Sequence, residues 1–241
     1  MGSPTKEPGR GADEGLQHRV TLARQFAIGT FDVTRDELAA FVTDTGYDIR
    51  SKCYIWTGEW AEKEGFSWRN PGFEQTDSHP AVCVSWSDAQ AYVNWLNKKT
   101  FKGYYLLSES EWEYAARAGS TTTYYWGDEI GRNNAVCSGC GSQWDNKGTA
   151  PVGSFKPNAF GLYDMAGNVW DWTEDCYHDS YNGAPAGGSP WTSGECSFRV
   201  VRGGSWPDAP RYLRSANRYK DGAAVRSNNI GFRVARTLLA P

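Results

Sequence analysis

The sequence predicts an α+β domain of short helices and short strands joined by long ordered loops. Three observations carry this. Three separate segments show a helix-capping signature followed by a brief apolar face. Short β-branched or aromatic runs are scattered from one end of the chain to the other. The 241 residues include 27 Gly, 11 Pro and 12 Trp, a composition that favours turns and aromatic packing over long aliphatic helices. No repeat, low-complexity tract, charge run or linker divides the chain, so residues 1–241 read as one domain of sufficient length for its own core.

The first helix is expected after Thr34, where Glu37 three positions on completes a capping box and Leu38, Phe41 and Val42 fall on one face. The second is expected after Ser87, with Gln90 at the matching position and Ala91, Val93, Trp95 and Leu96 in its body. The third follows Ser108, with Glu111 closing the box and Trp112, Ala115 and Ala116 apolar. Gly46, Lys98-Lys99 and Gly119 mark their ends. Strands are expected at Val20–Leu22, Phe26–Ile28, Val82–Val84, Val200–Arg202 and Gly231–Ala235. The region from about Ser120 to Ser197 is turn-rich, and a loop region that long needs a stabiliser or a function.

The formal net charge is −3, and no apolar run is long enough to span a bilayer. Neither nucleic acid nor a membrane surface is an expected partner. Residues 199–236 do hold eight arginines, Arg199, Arg202, Arg211, Arg214, Arg218, Arg226, Arg233 and Arg236. Without a nucleic-acid motif, these read as buried against Trp faces and carboxylates. The six cysteines permit three disulfides, and pairings 53–83, 137–140 and 176–196 are the simplest set, although connectivity cannot be read from spacing. Cys137-x-x-Cys140 offers at most two of the four ligands of a structural zinc, so it reads as a local disulfide or free thiols. The polar start carries no signal peptide and leans toward the cytoplasm, whereas three potential disulfides lean the other way.

Several segments are specific when taken in order: Phe31-Asp32-Val33-Thr34-Arg35, His79 to Trp86, Ser110 to Arg117, Asn158 to Trp172, Arg202-Gly203-Gly204-Ser205-Trp206, and Gly231-Phe232-Arg233. Together they resemble the formylglycine-generating enzyme (sulfatase-modifying factor) family over nearly the whole chain. The resemblance implies a variant of the C-type-lectin fold, with a small twisted sheet, flanking helices and irregular structure pinned by calcium. Met1-Gly2-Ser3 resembles a point in the family that is usually preceded by more chain. An upstream effector domain in the natural protein is therefore an expectation.

Calcium takes six to eight oxygens and mixes carboxylates with carbonyls. The resemblance assigns one site to Asp164 and Asp171 through carboxylates and to Gly167 and Val169 through carbonyls. It assigns a second to Asn134, the Ala135 carbonyl, Asp145 and Asn146, although the spacing differs there. The family's enzymes bind copper(I) with two cysteines five apart, soft thiolates suited to that ion. Aligned on Leu213 to Arg218, those positions hold Pro210 and Ser215, and no cysteine lies beyond Cys196. No copper is expected, and the replacements point away from catalysis.

What remains is binding. Pro207–Asn229 is rich in Tyr, Ser, Asn, Gly and Arg, residue types of adaptable binding surfaces. It is similar to the variable region of bacterial diversity-generating-retroelement target proteins, in which adenines of Asn codons are mutated. Pro207, Asp208, Ala209, Tyr212, Tyr219, Asp221, Gly222, Val225 and Ser227 all fit a mutated Asn, while Lys220 does not. With Trp206 and Ser215 these form the expected surface for a protein or small-molecule ligand. Arg202, Trp206, Arg214, Arg218 and Arg233 would be scaffold. An ordinary polar loop would have a similar composition. Two alternatives stay open: an accessory domain without catalysis, and an oxidoreductase with a different metal centre. The latter follows relatives that lack the cysteines and act in siderophore maturation or sulfur–histidine chemistry. A facial iron triad would need two of His18, His79 and His178.

Overall fold

Capping boxes set the starts of the three α-helices. The computed structural model describes residues 1–238. Helix α1 (Arg35–Thr45) begins at Thr34, whose side chain accepts the Glu37 amide, and ends on Gly46 in the left-handed region at φ 66°. Helix α3 (Glu109–Arg117) is capped in the same way by Ser108 and Glu111. Helix α2 (Trp86–Thr100) starts two residues earlier than the expected Ser87. Ser85 is its cap, and Asp88 returns a bond of 2.9 Å to the Ser85 amide. A carboxylate three residues past a serine closes the box as well as Gln90 would, and such a cap is worth about 1 kcal/mol.

Three sheets are present among the described residues. In the first, β9 (Val234–Thr237) runs antiparallel between β1 (Phe26–Ile28) and β4 (Tyr104–Leu106). The second is a hairpin of β2 (Lys52–Trp56) and β3 (Trp60–Glu64). The third has the order β7-β6-β5-β8, from β5 (Trp170–Cys176), β6 (Phe198–Arg202), β7 (Arg218–Gly222) and β8 (Ile230–Phe232), with β5 and β8 parallel. The single strand expected at Gly231–Ala235 is thus two strands in two sheets, split at Arg233. Val20–Leu22 and Val82–Val84 are not strands. Cys83 adopts φ 57°, which breaks any ladder at that point.

Phe41, Tyr92, Trp95 and Phe232 interlock α1, α2 and β8 with ring centroids 5.3–5.7 Å apart. Four buried arginines then pin the C-terminal third to distant parts of the chain. Arg202 pairs with Glu113, Arg218 with Glu109, Arg214 with Glu7 and Glu14, and Arg233 with Asp32. Arg226 pairs with Asp88, and Arg199 stacks 3.9 Å from the Trp86 ring. Burial raises the cost of ionising Glu109, but Arg218 and Arg202 hold its carboxyl below the usual range. Six of the eight arginines therefore meet the expected fate, whereas Arg211 is exposed and, among the described residues, no such pairing involves Arg236.

Disulfides join Cys53 to Cys83, Cys137 to Cys140 and Cys176 to Cys196. The last two lie in the turn-rich region and supply part of the stabiliser it requires.

Candidate functional site

A cleft of about 500 Å³ opens where β7, the loop after it, the start of β5 and the β2–β3 hairpin meet. Asp208, Tyr212, Tyr219, Asp221, Val225, Ser227 and Asn229 of the expected segment line it, with Tyr54, Trp60, Trp170 and Ile230. Pairing of β6 with β7 sets Tyr219 opposite Val201, and β5 brings Trp170 beneath the tyrosines. The Trp170 ring lies 5.7 Å from Tyr219 and 6.5 Å from Tyr212. Tyr219 is 53 % exposed and Tyr212 is half-buried, so both present ring surface to the opening.

A directed hydrogen-bond chain organises the polar floor. Ser227 donates to Asn229 Oδ1 at 2.6 Å, Asn229 Nδ2 donates to Ser205 Oγ at 3.0 Å, and Ser205 Oγ donates to Asp208. The Trp170 indole also donates to Asp208 Oδ2, at 2.8 Å. Every donor points toward one carboxylate, which fixes its orientation. Burial pushes the carboxyls of Asp208 and Asp221 above the ordinary aspartate range, against the bonds that Asp208 accepts from Ser205 and Trp170 and that Asp221 accepts from the Gly222 amide.

The remaining expected residues lie elsewhere. Trp206 is buried against Phe73 and donates to the Asn228 carbonyl, so it is scaffold and not surface. Ser215 is also buried: its amide bonds the Thr123 carbonyl and its carbonyl accepts from Arg202. It follows a 3₁₀ turn, Pro210–Leu213, which carries the chain inward before Arg214 and Arg218 are clamped. Pro207, Ala209 and Gly222 are half-buried and do not line the cleft. The residues that segment reasoning missed are contributed by other elements. Trp60 and Tyr54 carried the signal of a strand alternation around Thr57-Gly58-Glu59, and Trp170 lay in a recognised motif.

The residues of the first expected calcium site lie in a second arrangement. Asp164, Asp171 and Asp32 gather around one cation, Arg233. Arg233 donates to Asp32, and its Nε lies 3.6 Å from Asp171 Oδ2, which also accepts the Trp112 indole at 2.9 Å. Asp164 accepts the Gly153 amide at 2.7 Å. Asp32 Oδ2 and Asp171 Oδ1 are buried without a hydrogen-bond partner. Burial pushes Asp164 up to about 6 and also raises Asp32 and Asp171. Gly167 is held at φ 80° with its missing Cβ only 2.3 Å from the Val136 carbonyl, so no side chain is admissible there. Three carboxylates against one guanidinium, with two orphaned oxygens, fit a hard divalent cation in charge and donor type. No three His, Cys, Asp or Glu side chains among the described residues converge as ligands, so a cation here would need backbone carbonyls as well.

Two residues of the second expected site have hydrogen-bond partners of their own. Asn134 Nδ2 bonds the Ile130 carbonyl, while Asp145 spends both oxygens on the Gly141 and Ser142 amides and the Ser142 hydroxyl of its own turn. Ala135 is buried and Asn146 is exposed. The histidines are also kept apart: His79 accepts the Thr76 amide, His178 stacks on Trp191, and His18 lies against Tyr181.

Comparison with known proteins agrees with this fold. A formylglycine-generating enzyme of Streptomyces coelicolor is 36% identical over 260 residues, covering 90% of this chain and 80% of that protein. The structure of PvdO from Pseudomonas aeruginosa superposes with a TM-score of 0.88 at 42% identity, covering 99% of this chain and 90% of that one. Treponema denticola variable protein 1 shares the fold, with a TM-score of 0.66 at 23% identity over 88% of this chain and 84% of that one. The family model for the sulfatase-modifying factor enzyme 1-like domain matches residues 1–238. The chain belongs to that family.

Proposed function

We propose that this chain is a ligand-binding member of the family that works without copper, on a scaffold stabilised by calcium. One observation carries the reading: the segment that would supply the copper thiolates has none, and seven of its side chains line an aromatic cleft instead. Binding energy would come from burial of ligand against Trp170, Tyr212 and Tyr219, and orientation from the anchored Asp208. Of the positions that fit a mutated template, Asp208 and Ser227 hold hydrogen bonds in the floor. Free variation is therefore best suited to Tyr212, Tyr219, Asp221 and Val225.

Calcium would be held by Asp164 and Asp171, with the Gly167 and Val169 carbonyls. Its charge would balance the surplus of aspartates around Arg233. Its role here is structural, since the Asp164–Asp171 segment joins β5 to the 135–137 and 150 backbones through Asn168. An ion present at 100 times its Kd stabilises the fold by about 2.7 kcal/mol. Chelation with EGTA should then lower the melting temperature by about 5–10 °C, reversibly on adding calcium. The test of the whole reading is elemental analysis with a copper(I) titration and a cysteine-peptide oxidation assay. Bound calcium, no stoichiometric copper and no oxidised peptide are expected. Copper uptake with peptide turnover would refute it.

A further inference from the structure

We infer that the cleft takes a small organic cation, an ammonium or guanidinium group carried on an apolar or aromatic body. The inference rests on the reading of the cleft as a ligand site and adds the ligand's charge. Among the lining residues only Asp208 and Asp221 are charged near neutral pH; none is Lys, Arg or His. Five of the others are aromatic, and Trp170 with Tyr212 and Tyr219 forms a corner of two ring faces at 66° and 30° to the indole. A cation within about 6 Å of such rings is attracted by their quadrupoles, by about 0.5–2 kcal/mol each according to desolvation.

The carboxylates extend the same preference. Asp208 is held at the end of a donor chain, so it meets a ligand as a fixed anion. Asp221 takes only the Gly222 amide, at 2.7 Å, on one oxygen. A neutral ligand would strip water from both without compensation, whereas a cation replaces that water with an opposite charge. The protein already uses the same chemistry nearby: Arg211 lies 4.5 Å from the Tyr212 centroid, and Lys220 lies 4.4 Å from that of Tyr177. Arg211 is exposed and lines an adjoining groove, not the cleft. One arginine on the outer side leaves two carboxylates inside. The volume, about 500 Å³, admits a ring together with a quaternary ammonium.

The test uses benzyltrimethylammonium chloride, benzyl alcohol and sodium benzoate as matched cationic, neutral and anionic probes at constant ionic strength. Affinity is read by calorimetry and by tryptophan fluorescence, because Trp60 and Trp170 line the cleft. The cation is expected to bind at least about tenfold tighter than either other probe. Asp221→Asn should weaken the cation about tenfold with little change for benzyl alcohol. Tyr219→Leu, at a half-exposed ring, serves as a second variant and should weaken the cation severalfold with an unchanged circular dichroism spectrum. Equal or tighter binding of benzoate or benzyl alcohol would overturn the charge assignment while leaving the cleft a ligand site. An unchanged cation affinity in both variants would overturn the assignment too. Absence of binding by all three probes would overturn both the assignment and the ligand-site reading.

Discussion

Replacing Arg202 with Met should cost the fold about 3–5 kcal/mol. Arg202 is fully buried. Its Nη2 bonds Glu113 and the Ser215 carbonyl, its Nη1 bonds the Ala216 and Asn217 carbonyls, and Glu109 lies 3.6 Å away. Methionine fills much of the volume but leaves Glu113 Oε2 and three carbonyls without the guanidinium, while Glu113 Oε1 keeps Arg117 and the Gly2 amide. An ion pair replaced whole by apolar residues can be neutral, but loss of one partner strands a buried charge. The cost is a large part of a typical total of about 5–15 kcal/mol. The melting temperature should fall by roughly 6–20 °C at the usual 2–4 °C per kcal/mol for a chain of this size. Arg202→Lys should also destabilise, since an ammonium cannot fork to a carboxylate and three carbonyls. The exposed Arg211→Ala is the control and should stay within about 0.5 kcal/mol. A urea midpoint for Arg202→Met within error of the parent would show that this network does not hold the C-terminal third in place.

The second large effect is expected from the Cys53–Cys83 disulfide. It closes a loop with a sequence separation of 30, for which the chain-entropy model gives about 3–4 kcal/mol. It also has a functional reach. Next to it, Tyr54 exchanges backbone hydrogen bonds of 2.7 and 2.9 Å with Arg226 and Asn228, and the Cys83 amide bonds the Ser227 carbonyl at 2.9 Å. The bridge therefore fixes the hairpin against the strip of backbone that forms one wall of the cleft. The double variant Cys53→Ala, Cys83→Ala should lose stability in denaturant titration and also lose probe affinity. Removing Cys137–Cys140, a separation of only 3, should cost less and leave the cleft intact. Equal affinity before and after loss of the 53–83 bridge would show that the hairpin does not shape the site.

The helices were legible because a capping box is a local code, read three residues apart. The shift of α2 from Ser87 to Ser85 shows its limit: two serines each had a polar partner at the right spacing, and burial of Asp88 decided between them. Strand β5 was hidden because its residues are buried on both faces, so Trp170-Asp171-Trp172-Thr173 shows no alternation. Two of its polar side chains find partners inside the protein, Asp171 Oδ2 in the Trp112 indole and Thr173 in the Val200 carbonyl. The split at Arg233 was hidden for a different reason, since only tertiary pairing tells Phe232 and Val234 that they join different sheets. Of the site, the segment 207–229 was visible in composition, but which of its side chains point outward was not. Ser215 and Trp206 face inward because the 3₁₀ turn and the buried arginines beside them draw that backbone into the core. Tyr54 and Trp60 reach the cleft only through the disulfide-anchored hairpin, a long-range contact that no local pattern encodes.

The most direct test of the cleft as the working site is a crystal structure of the protein soaked with benzyltrimethylammonium. The quaternary ammonium is expected between the Trp170 and Tyr219 faces, within reach of the Asp221 carboxylate. A cation bound elsewhere on the surface, with the cleft holding only water at saturating concentration, would contradict it.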